Sequence, residues 1–507
     1  MGISKLKSVT FFGLEAYTVE VEVDVVYAEK KSSIVIVGLP DSAVKESKDR
    51  VLTASRNTIL QSELIEATVN LAPGNLRKEG PLYDLPIALG VAWALQKYPY
   101  SIDPQDYIMI GELGLNGDVR AVRGALSAAL HAKKLKKKGI LLPLVNAQEA
   151  SIVPGIDIVG IQTLQEALEF FKDPSSVTLF SSSKNTEFLN LPPSIDFADI
   201  KGQDHVKRAM EIAAAGNHNI VMSGPPGSGK SMFAKALIGI TPELSIEEAL
   251  EVTKIHSLAG RLSHHGIIRS RPFRAPHHTV SYAGLIGGGS HPRPGEVSLA
   301  HQGILFLDEL PEYPRSVLEV LRQPLEDKYV TVSRAQGNVT FPTHFMFVAA
   351  MNPCPCGFRG HPDRPCTDTQ LQVDRYLSRI SGPIWDRIPM QVEVPSLKFE
   401  DYVSLTEKER SIVIKQRVTE AREIQYQRQG RMHTNASMPP SEVKKHCNLD
   451  GPCKDIIKNA MSSLHLSTRA VDGITRVART IADLDNSENI KSSHLYEALS
   501  YRNQLKH

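Results

Sequence analysis

The chain has 507 residues, and its 58 lysines and arginines are balanced by 56 aspartates and glutamates, so its formal net charge is only +2. This balance excludes a uniformly polybasic protein, and any nucleic-acid surface must therefore be local. No apolar run approaches a membrane span, the first twenty residues lack a secretion-signal pattern, and five cysteines do not suggest a disulfide scaffold. We therefore expect a cytoplasmic protein with roughly two to four domains and no membrane partner.

The first 172 residues alternate strand-like and helix-like segments. Thr18–Val23 and Ser33–Val37 have the composition of strands, and Leu85–Leu95 has that of a buried helix. The serine- and proline-rich stretch 173–195 then predicts a linker.

A phosphate-binding pattern opens the next region, in which strand and helix patterns alternate as in a parallel α/β sheet. An apolar strand, Asn219–Met222, leads directly into the Walker A sequence Gly224-Pro225-Pro226-Gly227-Ser228-Gly229-Lys230-Ser231. Glycines allow backbone N–H groups to surround phosphate oxygens at a helix N-terminus. We expect Lys230 to reach the β- and γ-phosphates of ATP and Ser231 to bind Mg²⁺.

Two further apolar strands end in polar side chains. Gly303–Leu307 is followed by Asp308 and Glu309, and Phe345–Met351 is followed by Asn352. An acid at the end of a parallel strand suits Mg²⁺, which predicts that Asp308 binds the metal and Glu309 orients the attacking water. The Asn352 amide is expected at the γ-phosphate or at that water.

Three downstream arginines are candidates for stabilising charge during phosphoryl transfer. Arg379 and Arg387 follow the nucleotide strands, and Arg469 lies in the first turn of a helix capped by Ser467. A guanidinium supplied by a neighbouring subunit can act as an arginine finger. The residues alone do not decide whether Arg379 or Arg387 has that role.

These motifs together resemble an AAA+ ATPase module. They begin with Asp196–Gln203, and the segments Arg271–His278, Leu285–Gly289 and Leu321–Glu326 are similar to the magnesium-chelatase-like subgroup. The whole chain resembles the ComM/YifB family. The resemblance implies that Ile200 belongs to the nucleotide-binding set, Asn352 is the sensor-1 residue, Arg387 is the arginine finger and Arg469 is the sensor-2 arginine.

The same resemblance implies a multidomain α/β fold. Residues 1–172 would form a Lon-protease-like (ribosomal S5-type) α+β domain, 196–400 an AAA+ P-loop α/β core, and 401–507 a C-terminal helical lid. The Lon-type Ser–Lys pair is not present, because its positions correspond to Leu82 and Ser127. A leucine cannot attack a carbonyl and a serine cannot act as an amine base, so we expect no protease activity.

Two insertions resemble the channel-lining segments of ring-shaped family members. Residues 263–289 carry histidines and arginines, among them Arg271 and His278, and residues 328–341 alternate like a hairpin that includes Arg334. Such a channel would suit a phosphate backbone; the first insertion can equally brace neighbouring subunits. The lysine run 133–138 is either a phosphate contact or, more simply, a solvated helix end stopped by Gly139.

A cysteine-rich segment follows Asn352. Cys354, Cys356 and Cys366 are close in sequence, and either His361 or Asp368 can complete a four-ligand set for structural zinc. The alternative is that all three are free thiols.

The family resemblance implies an ATP- and Mg²⁺-dependent hexameric DNA motor, a branch-migration helicase of natural transformation or homologous recombination. Its partners would be single-stranded or branched DNA, a ring of identical subunits and other recombination proteins. One alternative is the ATPase subunit of a magnesium chelatase. Another is a scaffold that binds nucleotide without hydrolysing it, against which the intact Glu309, Asn352 and Arg387 positions argue.

Overall fold

A computed structural model describes residues 2–60, 63–180, 195–262, 266–289, 292–334, 337–397, 408–430 and 433–502. The chain forms two compact units. The first contains residues 1–189 together with 246–269, and the second contains residues 190–245 and 270–507. No described helix is both long enough and apolar enough to cross a lipid bilayer.

The first unit is built on a seven-stranded mixed sheet. Its strands, in the order in which they lie side by side, are β3 (Ser33–Val37), β4 (Ile65–Ala72), β2 (Glu15–Tyr27), β1 (Ser4–Phe12), β5 (Tyr107–Met109), β8 (Gly139–Pro143) and β9 (Asp157–Ile161). The period-two pattern of β2 buries Val19, Val21 and Val23 on one face. The described part of this unit also contains a short antiparallel pair, β6 (Glu112–Leu113) and β7 (Val119–Arg120).

The described residues of the first unit form six α-helices: α1 (Ser42–Ser55), α2 (Asp84–Ala94), α3 (Ala125–Lys134), α4 (Leu144–Ala150), α5 (Leu164–Lys172) and, from later in the chain, α8 (Ile246–Leu258). Every residue of α2 is buried, as expected from the apolar sequence that follows Asp84. The lysine run does end a helix, but α3 stops at Lys134 and Lys136 adopts a left-handed φ of 54°, well before Gly139. Residues 173–180 of the predicted linker are described, with Phe180 bridged to Ile158 of β9; residues 181–194 lie outside the described residues.

The second unit contains a five-stranded sheet in which every neighbouring pair is parallel. Its order is β11 (Phe273–Arg274), β14 (Ile304–Leu307), β17 (Met346–Met351), β10 (Ile220–Ser223) and β18 (Met390–Glu393). The first helices of this unit are α6 (Asp204–Gly216) and α7 (Lys230–Ile240). The predicted parallel α/β core is therefore confirmed.

The second unit also contains short helices and two short antiparallel strand pairs outside this sheet. The helices are α9 (Tyr282–Ile286), α10 (Glu296–Leu299), α11 (Arg315–Glu319), α12 (Arg322–Asp327), α13 (Gln370–Leu377) and α14 (Gly382–Trp385). Two antiparallel pairs join β12 (Gly287–Gly288) to β13 (Arg293–Pro294) and β15 (Tyr329–Arg334) to β16 (Gly337–Pro342). The second pair is the predicted hairpin, whose connecting residues 335–336 lie outside the described residues.

The C-terminal region is helical, as predicted. Its helices are α15 (Ser411–Gln429), α16 (Pro440–His446), α17 (Gly451–Leu464), α18 (Thr468–Leu484) and α19 (Ser492–Ser500). The Ser467 hydroxyl caps α18 by accepting from Ala470 N at 3.2 Å. Helix α18 buries Ile474, Val477 and Ile481 in the same apolar core as the central sheet.

Candidate nucleotide-binding site

The Walker A loop leaves the sheet at a change of strand order. Strand β10 lies between β17 and β18, and the loop follows its carboxyl end. Open parallel sheets bind ligands in the crevice at such a point. Because Ser223 pairs with Met351, the loop and Asn352 emerge side by side.

The loop conformation requires its glycines. Gly227 and Gly229 have φ values of 79° and 92°, and a Cβ at either position would meet nothing within 4 Å. Glycine is therefore needed for the left-handed backbone and not for lack of space. Helix α7 begins at Lys230, and the buried Ser228 hydroxyl has no hydrogen-bond partner among the described residues. An open loop with an unpaired buried hydroxyl at a helix N-terminus fits a phosphate group.

The amine of Lys230 is buried at the mouth of this loop. Its Nζ donates to the carbonyls of Gly224 at 2.7 Å and Pro225 at 2.8 Å, and to Asn352 Oδ1 at 3.3 Å. Burial lowers the pKa of Lys230, and the charge of Asp308 opposes that shift. The amine is thus held by neutral acceptors that phosphate oxygens can replace.

Two oxygen ligands for a divalent cation are already in contact. The Ser231 hydroxyl donates to Asp308 Oδ2 at 2.7 Å, and Asp308 Oδ1 accepts from Glu309 N at 3.0 Å. A hydroxyl and a carboxylate beside the phosphate loop are the donors that Mg²⁺ takes in such sites. The residues therefore fit Mg²⁺, which when bound would neutralise charge on the phosphate oxygens.

Glu309 is set apart from Asp308 by a left-handed turn of the backbone. Its φ is 52°, and 56% of its side chain is exposed. Glu309 Oε2 lies 3.5 Å from Nδ1 of His278, and the ring centroids of His277 and His278 are 4.0 Å apart. Sequence reasoning assigned both histidines to a channel insertion and missed this contact, for which the sequence offered no signal.

The Ile200 segment is joined to the loop through a neighbouring residue. Ile200 is buried, and its carbonyl accepts from Lys207 Nζ at 2.6 Å. Gln203 Nε2 donates to the carbonyls of Ser228 at 3.2 Å and Pro395 at 2.6 Å. This amide fastens the segment to the Walker A loop, although Gln203 was not singled out as a site residue.

The predicted finger and sensor-2 arginines converge on one carboxylate. Glu326 accepts from Arg387 Nη2, and from Arg469 Nη2 at 2.8 Å. Hydrogen bonding from Arg387 is the main cause of a lowered pKa of Glu326. All three residues line a cavity of about 410 Å³, whose lining includes none of the Walker A residues described above.

Sequence comparisons agree with this arrangement of motifs. The family described as magnesium chelatase, subunit ChlI, matches residues 196–402, with related families matching residues 21–146 and 408–502. Competence protein ComM of Haemophilus influenzae is 40% identical over 507 residues, which is 99% of this chain and 98% of that protein. YifB of Escherichia coli is 39% identical over 505 residues, 99% of this chain and 97% of YifB.

The chain belongs to the ComM/YifB family. Membership assigns it a magnesium-chelatase-like AAA+ ATPase module that uses ATP and Mg²⁺. Lon protease 2 of Bacillus subtilis is 30% identical over 165 residues, but this covers only 30% of the chain and 29% of that protease. The Lon similarity is therefore partial.

The positions of the missing Ser–Lys pair are buried in this ComM/YifB-family chain. Leu82 and Ser127 are both buried, and the Ser127 hydroxyl lacks a partner within the described part of the chain. Helix α8 packs against α3, which carries Ser127. The Ser257 hydroxyl of α8 accepts from Gly124 N at 3.1 Å and contacts the buried carboxylate of Glu149.

Hydrogen bonds from Arg502 hold the turn that carries Arg387. Arg502 Nη1 donates to the carbonyls of Trp385 at 3.0 Å and Ile388 at 2.8 Å, and its Nη2 contacts Asp386 at 3.2 Å. The other finger candidate, Arg379, instead binds Glu312 at 2.9 Å. Arg387 is thus grouped with Arg469, whereas Arg379 lies beside the turn that follows Asp308 and Glu309.

Arginines of the first insertion are engaged inside the second unit. Arg271 donates to the carbonyls of Pro242 and Gln302, each at 2.7 Å, and Arg274 forms a two-pronged pair with Glu296 at 2.6 and 2.8 Å. Both guanidinium groups are therefore bound by acceptors of their own chain. Residues 263–265 and the side chain of Arg334 lie outside the described residues.

The thiols of the cysteine-rich segment are clustered. Cys354, Cys356 and Cys366 have sulfurs 3.3–3.5 Å apart, and Asp368 lies with them. His361 is elsewhere: its Nε2 lies 3.0 Å from Ser396 Oγ, and its Nδ1 accepts from Asp363 N at 3.1 Å. Of the two candidates for the fourth position, the structure therefore brings in Asp368 and not His361.

Proposed function

We propose that this ComM/YifB-family protein is an ATP-driven, ring-forming motor that migrates branched DNA in transformation or homologous recombination. The supporting observation is the division of its ATPase residues into two clusters. Lys230, Ser231 and Asp308 form the phosphate and metal cluster. Arg387 and Arg469 gather instead on Glu326.

The division supports a catalytic centre shared between subunits. Phosphoryl transfer gains stabilisation when a guanidinium meets the transferred group. An arginine cluster on one part of a protomer can meet the phosphate cluster of the next protomer through a head-to-tail contact. Repetition of such a contact closes a ring when the rotation is suitable, and the family resemblance implies six subunits.

Each residue has a defined task in this proposal. Lys230 exchanges its carbonyl acceptors for phosphate oxygens, and Ser231 with Asp308 holds the metal. Glu309 orients the attacking water, with His278 beside its carboxylate. Asn352 already accepts from Lys230, and it transmits changes at the terminal phosphate to β17.

The hairpin β15–β16 is the proposed element that transmits movement to DNA. It starts at Tyr329, three residues after Glu326, so a change at the arginine cluster acts on a directly connected segment. Its sequence is polar on one face, where Thr331 and Thr340 lie opposite each other at 3.2 Å between hydroxyls. DNA as the polymer is supported by the relative named a competence protein.

A synthetic Holliday junction with labelled strands tests this function. Purified wild-type protein with ATP and Mg²⁺ should convert the junction to exchanged products, and Glu309→Gln should bind ATP but give no product. The matched control is Glu319→Gln, which should retain activity. The Glu319 carboxylate pairs with Arg322 at 3.2 Å. Strand exchange by Glu309→Gln at the wild-type rate would exclude the proposed role of ATP hydrolysis.

A second candidate function is supported by the matches to magnesium chelatase subunit ChlI. In that case ATP turnover would respond to a porphyrin and its chelating partner and not to DNA. Measuring turnover with each addition separates the two functions. A chain with no turnover under either condition would instead be a nucleotide-binding scaffold.

A further inference from the structure

The thiol cluster has the geometry of a metal site with four protein ligands. One ligand atom from each of Cys354, Cys356, Cys366 and Asp368 lies within 4.8 Å of all the others. Zinc–sulfur bonds of about 2.3 Å in a tetrahedron place two sulfurs about 3.8 Å apart. The observed separations of 3.3, 3.5 and 3.5 Å are close to that value and much longer than a disulfide bond.

The carboxylate is held in place by the backbone. Cys356 N donates to Asp368 Oδ2 at 2.8 Å, and the same oxygen is 3.7 Å from Cys366 Sγ. A fixed carboxylate oxygen beside three sulfurs completes the donor number of a closed structural zinc site, which leaves no position for water. Cys354 is fully buried, so one side of the cluster is protected from solvent.

The residues that flank Cys354 and Cys356 in sequence connect the cluster to the nucleotide site. Asn352, which accepts from Lys230 at 3.3 Å, is two residues before Cys354. Gly357 follows Cys356, has a φ of 84°, and approaches the Walker A loop so closely that a Cβ there would lie 2.7 Å from Pro226 Cδ. The ligand pair therefore sits between a residue that contacts Lys230 and a residue that packs on the phosphate loop.

We propose that Cys354, Cys356, Cys366 and Asp368 bind one zinc ion, and that this ion holds Asn352 and Gly357 in place against the Walker A loop. The site is thus a metal clamp on the nucleotide pocket. The binding part stands on the cluster alone, whereas the effect on turnover rests on the proposed ATPase function.

Metal binding is tested on the full-length protein without any activity assay. After purification with added zinc, the wild type should contain about one zinc per chain by elemental analysis. Replacement by Co²⁺ should give the intense visible and near-ultraviolet absorption of thiolate ligation. Cys366→Ser and Asp368→Ala should each lower metal affinity at least about tenfold, and His361→Ala should bind zinc as the wild type does.

Asp368→Cys keeps the test valid if the other ligand variants do not fold. Thiolate is a softer donor than carboxylate, so this variant should bind zinc at least as tightly as the wild type and intensify the Co²⁺ absorption. Absence of metal from both wild type and Asp368→Cys would overturn the site. Equal loss of metal in His361→Ala and Cys366→Ser would overturn the assignment of the fourth ligand.

Coupling to the phosphate loop is tested by removing the metal with a chelator and restoring it. ATP turnover should fall at least about tenfold and return with zinc, since misplacing catalytic groups by about 1 Å costs rates of that order or more. Unchanged turnover in the metal-free protein would refute the clamp while leaving the site. Zinc binding by a wild type that never hydrolyses ATP would refute the proposed function and the clamp, and would leave the site standing.

Discussion

Glu326 offers the sharpest test of how the two arginines are held. Its carboxylate accepts from Arg387 and from Arg469, and hydrogen bonding from Arg387 lowers the pKa of Glu326, so it is charged at neutral pH. Glu326→Gln keeps the shape and removes the charge. Because 45% of the Glu326 side chain is exposed, each ion pair contributes at most about 1 kcal/mol to stability. The variant should therefore fold and bind ATP normally.

The expected effect on turnover follows from the same magnitude. Because each arginine contact contributes at most about 1 kcal/mol, weakening both lowers the preorganisation of the arginines by at most about 2 kcal/mol, which corresponds to a kcat up to about 30-fold lower. KM for ATP should be unchanged, because Lys230 and Ser231 are not altered. Arg387→Ala, which deletes the proposed finger itself, should lower kcat by about a thousandfold.

Steady-state ATP turnover across a range of ATP concentrations measures both quantities, and Glu319→Gln again serves as the matched control. Combining Glu326→Gln with Arg387→Ala should lower kcat by at most about fivefold more than Arg387→Ala alone, since only the contact of Glu326 with Arg469 is then left to weaken. A wild-type or higher kcat in Glu326→Gln would show that Glu326 does not position the arginines, and the reasoning would be refuted.

Three further predictions concern stability. Burial lowers the pKa of His218 to about 3. The stabilisation from neutral His218 is therefore complete above its unfolded pKa near 6.5 and is lost as the pH falls below that value. Urea unfolding should show that the free energy of unfolding drops by about 2 kcal/mol by about pH 5, and this drop should be absent in His218→Gln. Arg50→Ala leaves the buried Asp84 without its partner at 2.7 Å and should lower the free energy of unfolding by about 3–5 kcal/mol. Arg56→Ala, on the surface of the same unit, is the control and should lower it by less than about 1 kcal/mol. A smaller loss for Arg50→Ala in thermal or urea unfolding would show that water compensates the charge of Asp84. Ser257→Ala removes the hydroxyl between Gly124 N and the Glu149 carboxylate and should cost about 1–3 kcal/mol, and unaltered hydrogen exchange in α3 would contradict that role.

Local sequence patterns were sufficient for the second unit's nucleotide elements. The strand before the Walker A loop, the helix that begins at Lys230, and the apolar stripe of α18 are each encoded by a continuous segment. Their physical causes are local: glycine conformations, a capping serine and a helical repeat of apolar residues. The strand-end acid Asp308 and the hydroxyl of Ser231 also met as expected, because the carboxyl ends of parallel strands share one edge of a sheet.

Contacts between residues far apart in sequence could not be predicted from those local patterns. Nothing local indicates that residues 246–269 leave the second unit and join the first, where Ser257 meets Glu149. The contact between His278 and Glu309 likewise joins residues 31 positions apart through tertiary structure. Spacing alone left His361 and Asp368 as equal candidates beside the cysteines, and only the folding of the loop between Cys356 and Asp368 distinguishes them.

Mixing two inactive variants tests the shared catalytic centre most directly. Glu309→Gln retains Arg387, and Arg387→Ala retains Glu309, so random mixing in the proposed ring would place both intact groups at about a quarter of the subunit contacts. If the arginine of one protomer serves the phosphate site of the next, the mixture should hydrolyse ATP far faster than either variant alone, up to about a quarter of the wild-type rate. A mixture no more active than its two components, under conditions where the subunits exchange, would contradict catalysis between neighbouring protomers.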